Sequence, residues 1–166
     1  PPRSTLFPYT TLFRSASNLV PGDTNRLTDV FVHDRQTGTT SLIPFASQPL
    51  RWLPHYVPDS PSAGPSISAD GRFITFRSRS TDLVSSDTNS VTDVFLHDRQ
   101  GNQTVRVSVQ ASGIEANAAS FVPRIAADGS SIAFVSWASN LVPGDSNERR
   151  DVFLVSNPFL SSIPST

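Results

Sequence analysis

Three loops of the sequence carry Asp and Asn side chains at a spacing that suits a metal ion. The stretch Asp87-Thr-Asn-Ser-Val-Thr-Asp-Val-Phe has copies that begin at Asp23 and Asp145, 64 residues before it and 58 residues after it. Hard cations such as calcium bind several oxygen atoms of this kind. One interpretation of the loops is therefore a set of calcium sites. The side chains at positions i, i+2 and i+6 of the copies are Asp23, Asn25 and Asp29; Asp87, Asn89 and Asp93; and Asp145, Asn147 and Asp151.

A second interpretation of these loops needs no ligand. Asp and Asn side chains also hydrogen-bond the backbone of their own loop and thereby fix turns. The stretch is not an EF-hand loop, because Thr92 stands at the position that requires glycine. Repeated units need identical loops for identical packing, so the repetition favours the structural interpretation. The sequence leaves both interpretations open.

Short strands must position the loops. From about residue 64 to residue 110 the sequence predicts four strands, with tight turns at Asp70-Gly71 and at 98–102. Apolar residues alternate along the second strand, which places Ile74 and Phe76 on one face. Four strands joined in chain order form an antiparallel meander. The central Asp-Asn loop then joins the second strand to the third.

Incomplete copies of this unit precede and follow it. In the later copy two prolines and no glycine turn follow the third strand, so we predict no clear outer strand there. The earlier copy lacks the sequence of its first two strands. The predicted organisation is an incomplete unit with an insertion at 16–63, a complete unit at 64–121, a third unit at 122–157 and a tail at 158–166.

Residues 1–15 are interpreted separately. The run Thr5-Leu-Phe-Pro-Tyr-Thr-Thr-Leu-Phe-Arg-Ser15 resembles the in-frame translation of a short-read sequencing adapter. We therefore predict that residues 1–15 are an artefact outside the fold, that the natural sequence begins near Ala16 and that the chain is a fragment. The alternative is a genuine strand-like segment.

The motifs of the units resemble those of TolB-type (WD40-like) β-propeller repeats. Four-stranded units with S-x-[SA]-x-D-G, an apolar strand and then D-x-F-x-x-D-x-x-x-G are typical of that family, and A-S-N-L-V-P-G-D-[TS]-N resembles arrays of bacterial and metagenomic exported proteins. The resemblance covers residues 16–157, but Val155-Ser156 replaces the usual His-Asp. It implies an all-β fold of four-stranded antiparallel blades, with about two and a half blades here out of roughly six or more in a ring. It also implies a periplasmic or extracellular location.

The insertion between the first two units carries a second set of candidate residues. Asp34 to Asp70 spans 36 residues, against 30 from Asp98 to Asp128, so about six extra residues enter this connection. In a blade the connection opens on the same face as the Asp-Asn loops, and loops on a rigid scaffold often carry function. The alternative is that its aromatic residues only cover a blade edge. The residues predicted to form a rim for a sugar or peptide are Arg51, Trp52, His55, Tyr56 and Asp59.

Composition and motifs argue against several classes of function. The chain has no Cys and a formal net charge of −1, so thiol chemistry, Cys-based zinc sites and a polyanion-binding surface are not expected. The motifs G-x-S-x-G, H-E-x-x-H and the P-loop are missing from the sequence. His33 and His97 fall at equivalent strand ends, so we interpret them as repeat packing and not as a metal pair.

Three classes of function remain. The favoured one is a non-catalytic scaffold in an exported β-propeller that binds a protein, a glycan or a cell-surface component. The second, which the resemblance permits, is the propeller domain of a larger hydrolase such as a prolyl oligopeptidase-like peptidase. The third is a purely structural repeat array. We expect no required cofactor, no nucleic-acid partner and no insertion into a membrane.

Overall fold

The structure is a computed structural model that describes residues 9–14, 19–21, 29–43 and 63–160. These residues form three antiparallel β-sheets, and no helix among them is long and apolar enough to cross a membrane. The predicted all-β class is confirmed. The strands are β1 (Tyr9–Arg14), β2 (Asp29–Asp34), β3 (Thr40–Leu42), β4 (Ala63–Ile67), β5 (Phe73–Ser78), β6 (Asp93–Asp98), β7 (Gln103–Arg106), β8 (Ser120–Ile125), β9 (Ser131–Ser136) and β10 (Asp151–Ser156).

The middle sheet is a four-stranded meander in the order β4-β5-β6-β7, as predicted. Gly71 has a φ of 72° in the first turn, a conformation that glycine adopts without steric cost. The last strand is shorter than the predicted run 104–109. It ends at Arg106 because the Ser108 hydroxyl turns inward, where it accepts a hydrogen bond from the Val94 N–H and donates one to Asp93.

The three sheets stack face to face through two apolar clusters. Val30, Val32 and Ile43 of the first sheet pack against Ile74, Phe76 and Phe95 of the second. The other face of the second sheet packs in the same way on the third sheet. Ile74 and Phe76 therefore share one buried face, as predicted. The residues of that second cluster include Phe73, Val94, Leu96, Val107, Ile132, Phe134, Ala138 and Leu141.

The third sheet has the order β10-β9-β8 and leaves one face uncovered in the described part of the chain. Val152 and Leu154 of β10 are 76% and 74% exposed. Their counterparts in β6, Val94 and Leu96, are fully buried, because the third sheet covers that face of the second. The difference in exposure therefore reflects the position in the stack and not a difference in residue type.

The placement of residues 9–14 in the structure differs from the prediction that residues 1–15 lie outside the fold. β1 pairs with β2 from Tyr9↔Asp34 to Arg14↔Asp29, the position that β5 takes beside β6. In the structure this segment is thus a strand of the first sheet, whereas the prediction places it outside the fold. The physical reason is that β2 offers an edge of unpaired backbone groups, and a run of Thr, Leu and Phe readily pairs with such an edge. The adapter origin of the segment stays a prediction.

Candidate functional site

The Asp-Asn loop between β5 and β6 is fixed by the side chain of Asn89. Its Oδ1 accepts a hydrogen bond from the Val91 N–H at 3.0 Å. Its Nδ2 donates to Asp93 Oδ2 and to the Ala116 carbonyl, both at 3.0 Å. These bonds tie the loop to the start of β6 and to the connection that leads to the third sheet. This is the arrangement that the structural interpretation of the motif predicts.

The third copy of the loop makes the same turn at the protein surface. Asn147 Oδ1 accepts from the Arg149 N–H at 2.7 Å, and its Nδ2 donates to the Asp151 carboxylate at 3.2 Å. Glu148 has a φ of 53°, which matches the φ of 57° at Ser90 in the middle copy. The motif therefore encodes one local backbone conformation in both copies.

The calcium interpretation of the loops is not tested by this structure. Among the described residues, no group of three or more Asp, Glu or His side chains is placed to hold a metal ion. Asp23 and Asn25 lie outside the described residues, and Asp29 is buried at the start of β2. Calcium binding stays a prediction.

A buried guanidinium lies beside the middle loop, at the place where the calcium interpretation puts a cation. Arg106 Nη1 is 3.2 Å from Asp87 Oδ1 and 3.5 Å from Asp93 Oδ2. Its Nη2 is 3.0 Å from Glu115 Oε1 and also donates to the Ser86 carbonyl at 2.9 Å. We call Asp87, Asp93, Arg106 and Glu115 the Arg106 cluster. It places three carboxylates around one positive charge.

Among the residues that the structure describes, the Arg106 cluster occurs in the middle unit alone. Arg106 pairs with Phe95, and the residue that pairs with Phe31 at the same position of the first sheet is Leu42. Sequence reasoning identified Asp87 and Asp93 but missed Arg106 and Glu115. The sequence carries no signal for Arg106, because it alternates with Val105 and Val107 and so has the spacing of a solvent-facing strand residue.

The excess of carboxylates shifts the proton affinity of the cluster. Burial, reinforced by the neighbouring charge of Asp93, raises the pKa of Asp87 to about 6, although Arg106 opposes the shift. Burial also raises the pKa of Asp93, against hydrogen bonds from Ser108 and Asn89. Burial acts in the same direction on Glu115, but hydrogen bonds from Thr88 and Arg106 outweigh it and hold the pKa of Glu115 below its usual value. Asp87 is therefore the group most ready to take up a proton near pH 6.

We expect the pKa shift of Asp87 to appear in the pH dependence of stability. Because the pKa of Asp87 is about 6 in the folded chain and 3.8 without the fold, the folded state binds more protons between these values. The contribution of Asp87 to stability is thus present below pH ~4 and lost as pH rises through ~6. Asp87→Asn should remove this dependence, so the stability of the wild type relative to the variant should fall by about 2 kcal/mol between pH 4 and 7. Urea unfolding at each pH measures it.

Asp128→Asn provides a control of opposite sign. The hydroxyl and N–H of Ser130 lower the pKa of Asp128, so its contribution to stability is lost as pH falls. Its removal should change the pH slope in the direction opposite to that of Asp87→Asn. Equal slopes for the wild type and Asp87→Asn would contradict the electrostatic account of the cluster.

An exposed aromatic side chain stands at the end of the third sheet where the Asp-Asn loop opens. Trp137 directly follows β9 and is 50% exposed. The guanidinium of Arg150 lies 5.2 Å from the centre of its ring, a cation–π contact that orders both side chains. The backbone N–H of Trp137 donates to the Ala119 carbonyl at 3.1 Å, which fixes the backbone beneath the ring. No repeat pattern in the sequence marks Trp137 as a candidate site residue.

The other predicted residues fall into two groups. His33 Nδ1 and His97 Nδ1 lie 3.0 Å and 2.9 Å from the hydroxyls of Thr40 and Thr104, so their interpretation as repeat packing is confirmed. The predicted rim lies outside the described residues and stays a prediction. Its members are Arg51, Trp52, His55, Tyr56 and Asp59.

Comparisons with known proteins agree with this fold. A scan of protein-family models gives no match, and a search of curated proteins gives none either. Among solved structures, the chain is similar to a protein assigned as TolB from Agrobacterium tumefaciens, with 16% identity over 90% of this chain and 42% of that chain and a TM-score of 0.52. TolB from Acinetobacter baumannii gives 20% identity over 82% of this chain and 26% of that chain, with a TM-score of 0.43. Acylaminoacyl peptidase from Pyrococcus horikoshii gives 13% identity over 82% of this chain and 17% of that chain, with a TM-score of 0.46.

The chain therefore has a partial β-propeller fold of the TolB type, and the predicted fold class is confirmed. It spans 42% of the length of the Agrobacterium protein. At this level of identity the similarity defines the fold, and the function has to be argued from the residues of the site.

Proposed function

We propose that the chain is part of an exported β-propeller that acts as a non-catalytic binding scaffold. The observation that carries the proposal is the exposed Trp137 with Arg150 against its ring, held at the end of a rigid sheet. Trp and Arg are the side chains most enriched at binding hot spots. A protein, a glycan or a cell-surface component would stack on this ring. A periplasmic or extracellular location belongs to the proposal and rests on the resemblance of the sequence to exported arrays.

The loops beside Trp137 support the proposal because they are ordered before any partner binds. The turn at Asn147 is closed by its own hydrogen bonds, and Asn140 Nδ2 donates to the Glu115 carbonyl at 2.8 Å. Asn117 Nδ2 donates to the Ser139 hydroxyl at 3.0 Å. A surface that is already ordered loses little conformational entropy when it binds a partner. The predicted rim around Trp52 would extend this surface, since the two kinds of loop are expected to open at the same end.

The two tryptophans of the chain, Trp52 and Trp137, allow a direct test. Trp52→Phe leaves Trp137 as the only indole, and Trp137→Phe leaves Trp52. We expect oligosaccharide or peptide ligands from an array to shift the fluorescence of the Trp52→Phe chain in a saturable way. Trp137→Ala should weaken binding of the same ligand about tenfold or more, the size of a hot-spot loss. Val152→Ala, on a different surface, serves as the control and should bind as the wild type does. An array without a saturable ligand for either single-tryptophan chain would refute the proposal.

A further inference from the structure

The outer edge of β10 differs from the equivalent edges of the other two sheets. β2 pairs with β3 and β6 pairs with β7, whereas β10 is bonded to β9 alone in the part of the chain that the structure describes. In the middle sheet the Val94 carbonyl accepts a hydrogen bond from the Val107 N–H at 2.9 Å. Phe153 pairs with Phe134 as Phe95 pairs with Phe76, so Val152 of β10 corresponds to Val94. Because backbone groups alternate along a strand, Val152 and Leu154 direct their N–H and C=O groups toward the edge.

A groove of about 370 Å³ runs beside this edge. Val107 and Val109 of the second sheet line one wall, and Phe153 and Val155 of β10 line the other. Phe134 is buried at the base of the groove, and it belongs to the cluster that joins the second and third sheets. The groove therefore continues an apolar interface that already exists within the fold.

The residues that follow β10 are held away from the edge. Asn157 donates its N–H to the Ser130 carbonyl at 2.9 Å and its Nδ2 to the Gly129 carbonyl at 2.8 Å. Phe159 then stacks on Phe73 with 6.3 Å between the ring centres. In the middle sheet the Arg99 N–H makes the equivalent bond to the Arg72 carbonyl at 2.9 Å, so the two segments diverge only after residue 157, where Phe159 packs on the second sheet. No hairpin such as that after β6 forms in this segment, in agreement with the loss of the His-Asp and Gly signals from the sequence.

We propose that the edge of β10 and its groove bind an extended segment of another polypeptide as the fourth strand of the third sheet. The backbone of the segment pairs antiparallel with Val152 and Leu154, which is the mode of peptide recognition by strand addition. Its side chains opposite Phe153 and Val155 face the groove. The preceding sheets have Leu42 and Arg106 opposite the equivalent phenylalanines.

The lining of the groove defines the chemistry of the segment. The groove is lined mainly by apolar side chains, so a leucine-like residue fits opposite Phe153 better than an arginine. In the other sheets a threonine bonds to His33 or His97, but valine replaces histidine at position 155. An apolar residue is therefore favoured opposite Val155 as well. The partner is an extended segment with apolar side chains at alternate positions, and the site is separate from the surface around Trp137.

A peptide derived from the fourth strand of the middle sheet tests the proposal. The probe is a fluorescein-labelled copy of residues 103–109 that carries T104V and R106L, and the full 166-residue chain is titrated against it by fluorescence anisotropy. We expect saturable binding in the micromolar range. A second probe with the additional change V105P lacks one N–H that would pair with the edge. The affinity of this second probe should be at least about tenfold lower, because proline cannot donate to a strand ladder.

Two variants at one position of the chain separate backbone pairing from side-chain contact. Leu154→Pro removes an N–H that faces the free edge, and the exposed Leu154 side chain contributes little to packing. It should weaken the probe about tenfold, since an edge strand tolerates proline but can no longer pair there. Leu154→Lys retains the N–H and should bind within about threefold of the wild type. If circular dichroism shows that Leu154→Pro is unfolded, the comparison of the two probes on the wild-type chain decides.

Several results would overturn this assignment. Equal affinity of the wild type and Leu154→Pro would place the peptide elsewhere, and no saturable binding up to about 1 mM would exclude the site. A wild-type dimer in sedimentation that Leu154→Pro dissociates would identify a second copy as the occupant. Binding only after deletion of residues 161–166 would identify the chain's own tail. Trp137→Ala should leave the affinity for the probe unchanged, so this proposal and the proposed function fail separately.

Discussion

Arg106→Leu is expected to lower the free energy of unfolding at pH 8 by about 3–5 kcal/mol, the typical cost of leaving buried charges without their partner. The substitution introduces the residue that the first sheet has at this position, Leu42, so its size and β-propensity suit the strand. The loss comes from Asp87, Asp93 and Glu115, which lie within 3.5 Å of the guanidinium and would face one another without it. Urea unfolding of the full chain followed by circular dichroism measures the change.

The pH dependence of this loss separates electrostatics from packing. At pH 5 Asp87 can take up a proton, so the cost of Arg106→Leu should be smaller at pH 5 than at pH 8. The double variant Arg106→Leu with Asp87→Asn should recover part of the loss, and the coupling energy of the cycle measures the interaction. Arg72→Leu is the control, because the Arg72–Asp98 ion pair is one-third exposed on the arginine side and should contribute less. A cost that is the same at both pH values would point to lost packing alone.

The repeat pattern predicted most of the fold because it contains the same information several times. Asp-Gly turns, alternating apolar residues and Asp-Asn loops recur in register, so each unit confirms the interpretation of the others. The burial of Ile74 and Phe76 on one face follows directly from that alternation. The length of β7 could not be predicted, since Val107 and Val109 continue the alternation in sequence. The strand ends at Arg106 only because Ser108 bonds to Asp93, a contact between residues 15 positions apart.

The features that distinguish one unit from another were harder to predict, and they carry the candidate chemistry. Arg106 has the spacing of a solvent-facing strand residue, and only the fold shows three carboxylates around it. Trp137 follows a strand at a position where the middle unit has Arg79, so no repeat pattern marked it. The replacement at Val155-Ser156 was visible in the sequence, but the groove beside it arises from the stacking of two sheets. Repetition therefore predicts the scaffold, whereas the candidate binding sites that we propose lie where the units depart from repetition.

Phe76→Ala is the second substitution with a large expected effect, and it tests the stacking of the sheets. Phe76 is fully buried between the first and second sheets and stacks on Phe95 with 5.7 Å between the ring centres. Val30, Val32 and Ile43 close the cluster from the first sheet. Removal of a buried phenylalanine ring typically costs about 3–5 kcal/mol, because the lost transfer energy adds to that of the cavity left behind. We expect this loss in urea unfolding, with little change in the dependence on urea concentration.

Two further variants should lose less stability than Phe76→Ala. Phe134→Ala should cost less than Phe76→Ala, because Phe134 lines the groove beside β10, where water can fill part of the space. Val152→Ala should change stability by less than about 0.5 kcal/mol, since this side chain is already exposed in the third sheet. The order Phe76, Phe134, Val152 follows from one physical cause, the extent to which a neighbouring sheet covers each residue. A cost below about 1 kcal/mol for Phe76→Ala would show that the first and second sheets do not pack through this face in solution.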